Sequence, residues 1–213
     1  MYTGIVQGVF EAVEVSRRSD FMSFAVQFPP ELLEELGPGA SVNIDGVCQT
    51  VVKVDGSKVW FDAMIETLRR TTLGQLNQAD TVNVERSARV GQENGGHEIA
   101  GHVDGMLEII ERHVSEDNLF LTFRVPEAYR RYIFDKGFLS VHGCSLTVTN
   151  FDREAGTFEV YLIPETLRLT NLGAKEVGGS VNFEIDRRTQ AIVDTVIDYL
   201  NDNLAQVVSE IGG

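Results

Sequence analysis

The chain carries one ordered set of motifs twice, which restricts it to two copies of a single small fold. Gly46-Val47-Cys48-Gln49-Thr50-Val51 returns as Gly143-Cys144-Ser145-Leu146-Thr147-Val148, 97 residues later. Glu66-Thr67-Leu68-Arg69 returns as Glu165-Thr166-Leu167-Arg168 at a spacing of 99, and Val82-Asn83-Val84-Glu85 returns as Val181-Asn182-Phe183-Glu184 at the same spacing. Gly4-Ile5-Val6-Gln7-Gly8 matches Gly101-His102-Val103-Asp104-Gly105, back at 97. A repeat of this length is a domain, not a solenoid unit. The expectation is two tandem domains, 1–96 and 97–187, with an unrepeated segment at 188–213.

Each copy reads as β. Residues 21–28 alternate with a two-residue period, and Ser41–Ile44 and 49–54 are β-branched runs between turn signals. Asp55-Gly56 predicts a hairpin, and the two extra residues of the second copy fall at the matching tip, 152–156, where insertions are best tolerated. Short strands with Gly-containing turns predict a small closed barrel, which leaves no exposed edge. One short helix per copy is predicted over 30–36, ended by Gly37-Pro38, and over 127–134, ended by Gly137. In the last segment Val193, Ile197, Leu200, Leu204, Val207 and Ile211 alternate spacings of four and three. This a/d seam predicts a self-association helix, with packing on its own barrel as the alternative.

A net charge of −14 with dispersed arginine pairs argues against nucleic acid, which needs a clustered basic surface. Met1-Tyr2-Thr3-Gly4 lacks the basic start of a signal peptide, and no apolar run approaches a membrane span. Two cysteines make no disulfide framework, so a cytoplasmic location is expected.

Matched positions that differ carry the chemistry. Cys48 stands where the second copy has Ser145, a polar-tolerant slot in which a thiol can donate, accept or attack. Cys144 stands in a valine slot and reads as core. His102 replaces Ile5, which hints at acid–base work in the second copy. His97 lies five residues before His102, a separation unsuited to a shared metal, and no third ligand cluster joins them; no metal is expected. Thr50, Thr147, Thr67 and Thr166 form a hydroxyl set present twice, consistent with one polyhydroxylated or heteroaromatic ligand per barrel or with twin turn chemistry. Asp186 reads as a helix N-cap.

The Met-aromatic-Thr-Gly-Ile-Val start, GVCQTV, ETLRRTTLG, GGHEIAGHVDG, KGFLSVHGCSLTV, LIPETLRLTNLG and NFEIDRRTQAIVDTV, in that order, resemble the riboflavin synthase family of the alpha type over essentially the full chain. The resemblance implies an all-β fold of two tandem six-stranded Greek-key barrels plus a C-terminal α-helix that makes a homotrimer. It implies a transferase: two molecules of 6,7-dimethyl-8-ribityllumazine dismutate by four-carbon transfer to riboflavin and 5-amino-6-ribitylaminouracil, without metal or cofactor. It brings lumazine synthase as an associated partner. The reacting pair is expected between the first barrel of one subunit and the second barrel of its neighbour.

Carried onto this sequence, first-barrel ligand contacts would come from Gly4, Ile5, Val6, Cys48, Gln49, Thr50, Asp62, Ala63, Met64, Ile65, Glu66 and Thr67. Second-barrel contacts would come from Gly101, His102, Val103, Lys136, Ser145, Leu146, Thr147, Leu162, Ile163, Pro164, Glu165, Thr166 and Leu167. Ser41, Cys48, His97, His102, Ser145 and Asp186 match positions linked to activity, with His102 favoured for proton transfer and Cys48 and Ser145 as hydrogen-bonding or transiently nucleophilic partners. Gln49, His142 and Cys144 depart from the family's usual Leu, Asp or Asn, and aliphatic residue; none removes a matched functional group. The alternative is a lumazine or flavin antenna protein that binds without turnover. A flavin-binding barrel of a larger reductase fits less well, because no nicotinamide-binding domain follows.

Overall fold

The computed structural model describes residues 1–115 and 118–211, with side chains up to residue 203 in the last helix. The first barrel comprises β1 (Gly8–Arg18), β2 (Phe21–Gln27), β3 (Ser41–Ile44), β4 (Val47–Asp55), β5 (Lys58–Met64) and β6 (Thr81–Arg86), closed in the order β1-β2-β5-β4-β3-β6. The second comprises β7 (Gly105–Val114), β8 (Leu119–Arg124), β9 (Phe138–Val141), β10 (Cys144–Thr147), β11 (Thr149–Asp152), β12 (Thr157–Leu162) and β13 (Ser180–Ile185), in the order β10-β9-β13-β7-β8-β12-β11. This is the same ring with one strand split. β10 and β11 are the two halves of the strand that β4 makes unbroken, and the break is at Val148, whose N–H turns aside to the Gly137 carbonyl. β4 has its irregularity at the matching place, a bulge between Val51 and Lys53.

Alternation decides what fills each barrel. On β5, Val59, Phe61 and Ala63 point inward while Asp62 and Met64 point out. The interiors hold Phe24, Phe28 and Phe61 in one barrel and Phe123, Phe158 and Phe183 in the other, each worth about 1.5–3 kcal/mol of burial. The barrels are therefore packed cores, their interiors filled by side chains.

The helices correct the sequence reading in detail. Helix α1 covers only Pro30–Leu33, because Glu34 leaves the helical region (φ −56°, ψ 123°) and Glu35 is left-handed (φ 55°), turning Leu36 back into the core. The helix predicted over 127–134 is a 3-10 helix, Glu127–Tyr132, pinned where Tyr132 enters the second core. Helices α2 (Ile65–Arg70) and α3 (Pro164–Leu169), each followed by a 3-10 turn, are too short to show a period in the sequence. Helix α4 runs Arg187–Ile211. Its first turns pack on the chain's own second barrel: Val193 lies against that core, and Asp194 accepts from the Tyr132 hydroxyl at 2.6 Å. Among the described side chains the uncovered apolar face of α4 is Ile192, Val196 and Tyr199 together with Leu200 of the predicted seam, while Val193 is turned to the barrel. Leu204, Val207 and Ile211 have side chains outside the described residues.

The two barrels meet back to back through matched residues. The Asn83 amide group donates to the His142 carbonyl (2.9 Å), as that of Asn182 does to the Asp45 carbonyl (2.7 Å). Asn83 accepts from the Asn171 N–H and Asn182 from the Thr72 N–H, at 2.7 and 2.8 Å. Gly46 and Gly143, both at positive φ, touch so closely that a Cβ on Gly46 would stand 2.9 Å from the Gly143 nitrogen. This explains why β6 and β13 are buried on both faces and lack the polar/apolar alternation of a half-exposed strand.

At the centre of the seam His142 Nε2 lies 3.3 Å from Asp45 Oδ1, both side chains buried. Burial raises the Asp45 pKa to about 6, against the pull of Lys175 and of donors from Asn83 and Asn171. Burial, with Lys175 beside it, holds His142 well below the usual histidine value and hence neutral. The signs oppose. Asp45 adds stability as pH falls from about 6 toward the unfolded carboxylate value of about 4, whereas His142 loses it as pH falls through about 6.5, where the unfolded chain takes up a proton. Their effects therefore largely cancel near pH 5–6. His142→Asn should unmask Asp45: the variant's own stability should rise by about 1 kcal/mol between pH 7 and pH 5 in urea unfolding, while the parent's stays nearly level. An unchanged difference between the two proteins would refute this.

Candidate active site

Two matched ledges lie where the glycine segments cross between the barrels. Each segment is fastened to its own barrel and covers the other. Glu85 on β6 takes the Thr3 N–H and hydroxyl on Oε1 (both 2.7 Å) and the Gly4 N–H on Oε2 (3.1 Å). The Gly4 carbonyl then accepts from the Ser145 N–H of the second barrel (2.9 Å), and Val6 enters the second barrel's core. Reciprocally, Glu184 on β13 binds the N–H groups of Ala100, Gly101 and His102 at 2.8–2.9 Å. The Gly101 carbonyl accepts from the Cys48 N–H (2.8 Å), and Val103 packs on the first core. Gly4 and Gly101 sit at φ 76° and 78°, and a Cβ on either would come within 2.7 Å of Ser145 or Cys48. Only glycine allows that approach.

This exchange corrects the grouping expected from the sequence. Gly4, Ile5 and Val6 border the second ledge, around a cavity of about 220 Å³ lined also by Ser145, Leu146, Ile163, Glu165 and Thr166. Gly101, His102 and Val103 belong with Cys48 on the first ledge. Sequence alone assigned each segment to its own repeat, and nothing in a linear pattern reports a crossing.

On the first ledge Cys48 is half-buried and Thr50 exposed, both on the outer face of β4, while Gln49 points into the barrel. Gln49 can therefore offer a ligand on the outer wall only its backbone. Ser41 faces Thr50 across the β3–β4 ladder, and its carbonyl accepts from Ser87 Oγ at 2.9 Å. The Tyr2 hydroxyl donates to Cys48 Sγ at 3.2 Å, a contact the sequence gave no reason to expect. Asp62, Met64 and Glu66 are exposed, Ile65 and Thr67 half-buried, and Ala63 buried; Asp62 is hydrogen-bonded to Ser23. The His102 side chain is exposed, while its carbonyl is held by Arg187 at 2.6 Å.

On the second ledge Ser145 Oγ lies 2.6 Å from His97 Nδ1. The imidazole stacks on Phe138, with ring centres 5.4 Å apart. Burial lowers the His97 pKa, against the charge of Asp186, so the ring is neutral at pH 7 and able to accept the serine proton. Asp186 also caps α4, accepting from the Thr189 N–H at 2.7 Å. Thr147, Ile163, Pro164 and Glu165 are exposed, Leu146, Thr166 and Leu167 half-buried, and Leu162 fills the core. Lys136 is exposed and left-handed (φ 62°), its N–H on the Val148 carbonyl. The structure thus joins His97 to Ser145 and places the His102 segment beside Cys48, with no hydrogen bond from the His102 ring among the described residues. Glu85 and Glu184 were legible in one respect: they are repeated acids in strands that otherwise read as core.

Among the described residues no cluster of three or more His, Cys, Asp and Glu is arranged to hold a metal, and no helix is long and apolar enough to cross a membrane. The lumazine binding domain matches residues 3–87 and again 100–186. Riboflavin synthase of Escherichia coli strain K12 is 45% identical over 197 residues, spanning 92% of each protein. LumP complexed with riboflavin superposes with a TM-score of 0.81 at 25% identity, covering 87% of this chain and 100% of LumP. LumP complexed with 6,7-dimethyl-8-(1'-D-ribityl) lumazine gives 0.79 at the same identity. With both barrels matched to the lumazine-binding domain and most of the chain aligned to an enzyme at this identity, the chain belongs to the riboflavin synthase family.

Proposed function

We propose that the protein converts two molecules of 6,7-dimethyl-8-ribityllumazine to riboflavin and 5-amino-6-ribitylaminouracil. The observation that carries this reading is the doubled ledge: one scaffold built twice, bearing a thiol at Cys48 in one copy and a serine hydrogen-bonded to neutral His97 in the other. Twin scaffolds suit twin substrates, and unlike polar groups suit donor and acceptor roles. The chemistry removes a proton from an activated ring methyl and joins two identical heterocycles, so orientation of the pair supplies most of the acceleration. His97 takes up and returns protons through Ser145, and the exposed His102 imidazole meets the ligand beside Cys48.

Ile5, Met64, Tyr161 and Ile163 are exposed apolar residues at the ledges, which favours cover by ligand and by a neighbouring subunit. The uncovered face of α4 supports a homotrimer in which first and second barrels of different subunits face each other. The working location is the cytoplasm.

Incubation with the lumazine in the presence of a metal chelator should release riboflavin, which is readily followed by its absorbance. Lumazine that stays bound and unchanged would favour the antenna alternative.

A further inference from the structure

Glu85 and Glu184 are buried carboxylates, 4% and 2% exposed, and burial raises the pKa of each. A buried carboxylate is tolerated only when its oxygens are satisfied. The closest cation to Glu184 is the Arg187 Nε at 3.9 Å, and the direct hydrogen bonds it receives come from the three successive backbone N–H groups of residues 100–102. That convergence requires the left-handed turn at Gly101, and the same turn sends the Gly101 carbonyl to Cys48 and Val103 into the first core. The carboxylate therefore fixes, from the second barrel, the backbone that walls the first barrel's ledge. Glu85 does the same in reverse for residues 3–5 and Ser145.

Resting on the ligand assignment above, we propose that Glu184 is the positioning residue for the first barrel's ligand ledge and Glu85 for the second's. Each barrel's site is organised by a carboxylate of the other barrel. Glu184→Gln keeps the shape but turns an amide N–H toward backbone N–H donors, so at least one of the three loses its acceptor.

Cys48 reports on the first ledge, because it is half-exposed while Cys144 is buried. The test is alkylation of the folded protein by iodoacetamide over a riboflavin titration, with Cys48 read by peptide mass spectrometry. The riboflavin concentration that half-protects Cys48 should rise about tenfold in Glu184→Gln and stay at the parent value in Glu85→Gln. If Glu184→Gln does not fold, Glu184→Asp carries the same expectation, since it keeps the charge but is too short to reach all three amides. Equal shifts in the Glu184 and Glu85 variants, or no shift in either, would overturn the proposal. A parent protein whose Cys48 is unprotected by riboflavin would overturn the ligand assignment, and the proposal with it.

Discussion

A chain ended after Gln190 is expected to sediment as a monomer and to form riboflavin about a hundredfold more slowly than the full chain. The cut keeps Arg187, whose guanidinium holds the His102 carbonyl and Asp104, and keeps the Asp186 cap, so both ledges retain their anchors. It removes Ile192, Val196, Tyr199 and Leu200, each more than half exposed and lying together on one side of α4. A helix with an apolar face that its own barrel leaves uncovered is built to meet another surface. On the proposed arrangement a monomer keeps both ledges but cannot bring two bound lumazines together. Riboflavin binding should therefore survive while turnover falls. A truncated protein that remained trimeric, or a monomer with full activity, would show that α4 serves only its own barrel.

The second large effect is expected at His97. His97→Gln should lower kcat by about 10²–10⁴-fold, the usual worth of a positioned acid–base group, with a much smaller change in KM. The neutral ring 2.6 Å from Ser145 Oγ is placed to accept its proton. Because burial depresses the His97 pKa, the base form persists to lower pH than in a free histidine, and the acid limb of kcat should lie below about 6.5. Sequence reasoning favoured His102, since it replaces the apolar Ile5. The structure shows the His102 ring exposed on the first ledge, so His102→Gln should weaken ligand contact more than His97→Gln does and slow the chemical step less. The reverse pattern would return proton transfer to His102.

How far the fold was legible depended on the range of the interaction. The Asp55-Gly56 hairpin and the strand alternation are set by neighbours a few residues apart, the repeat is read by laying one half on the other, and all three appear in the structure as read. The crossing of residues 4–6 and 101–103 depends on contacts between barrels, for which a linear pattern has no signal. Tyr2 shows the same limit: it lies 46 residues from Cys48 in sequence and reaches it because its backbone pairs with Ile99 across the barrel junction. Gln49 entered the expected ligand contacts through the resemblance, and the structure turns its side chain into the first barrel, so that its backbone is what faces the outer wall. Cys48 and Ser145 were found because the repeat itself supplies the comparison.

In the proposed dismutation two identical molecules react, each supplying four carbons to the new ring. Equal amounts of unlabelled lumazine and lumazine carbon-13-labelled at ring carbons 6 and 7 and both methyl groups should be turned over together, and the riboflavin weighed by mass spectrometry. Three product masses are expected, with the species containing one labelled and one unlabelled unit the most abundant. Only two masses, with no doubly labelled riboflavin, would mean that the second four-carbon unit has another source and would overturn the proposed dismutation.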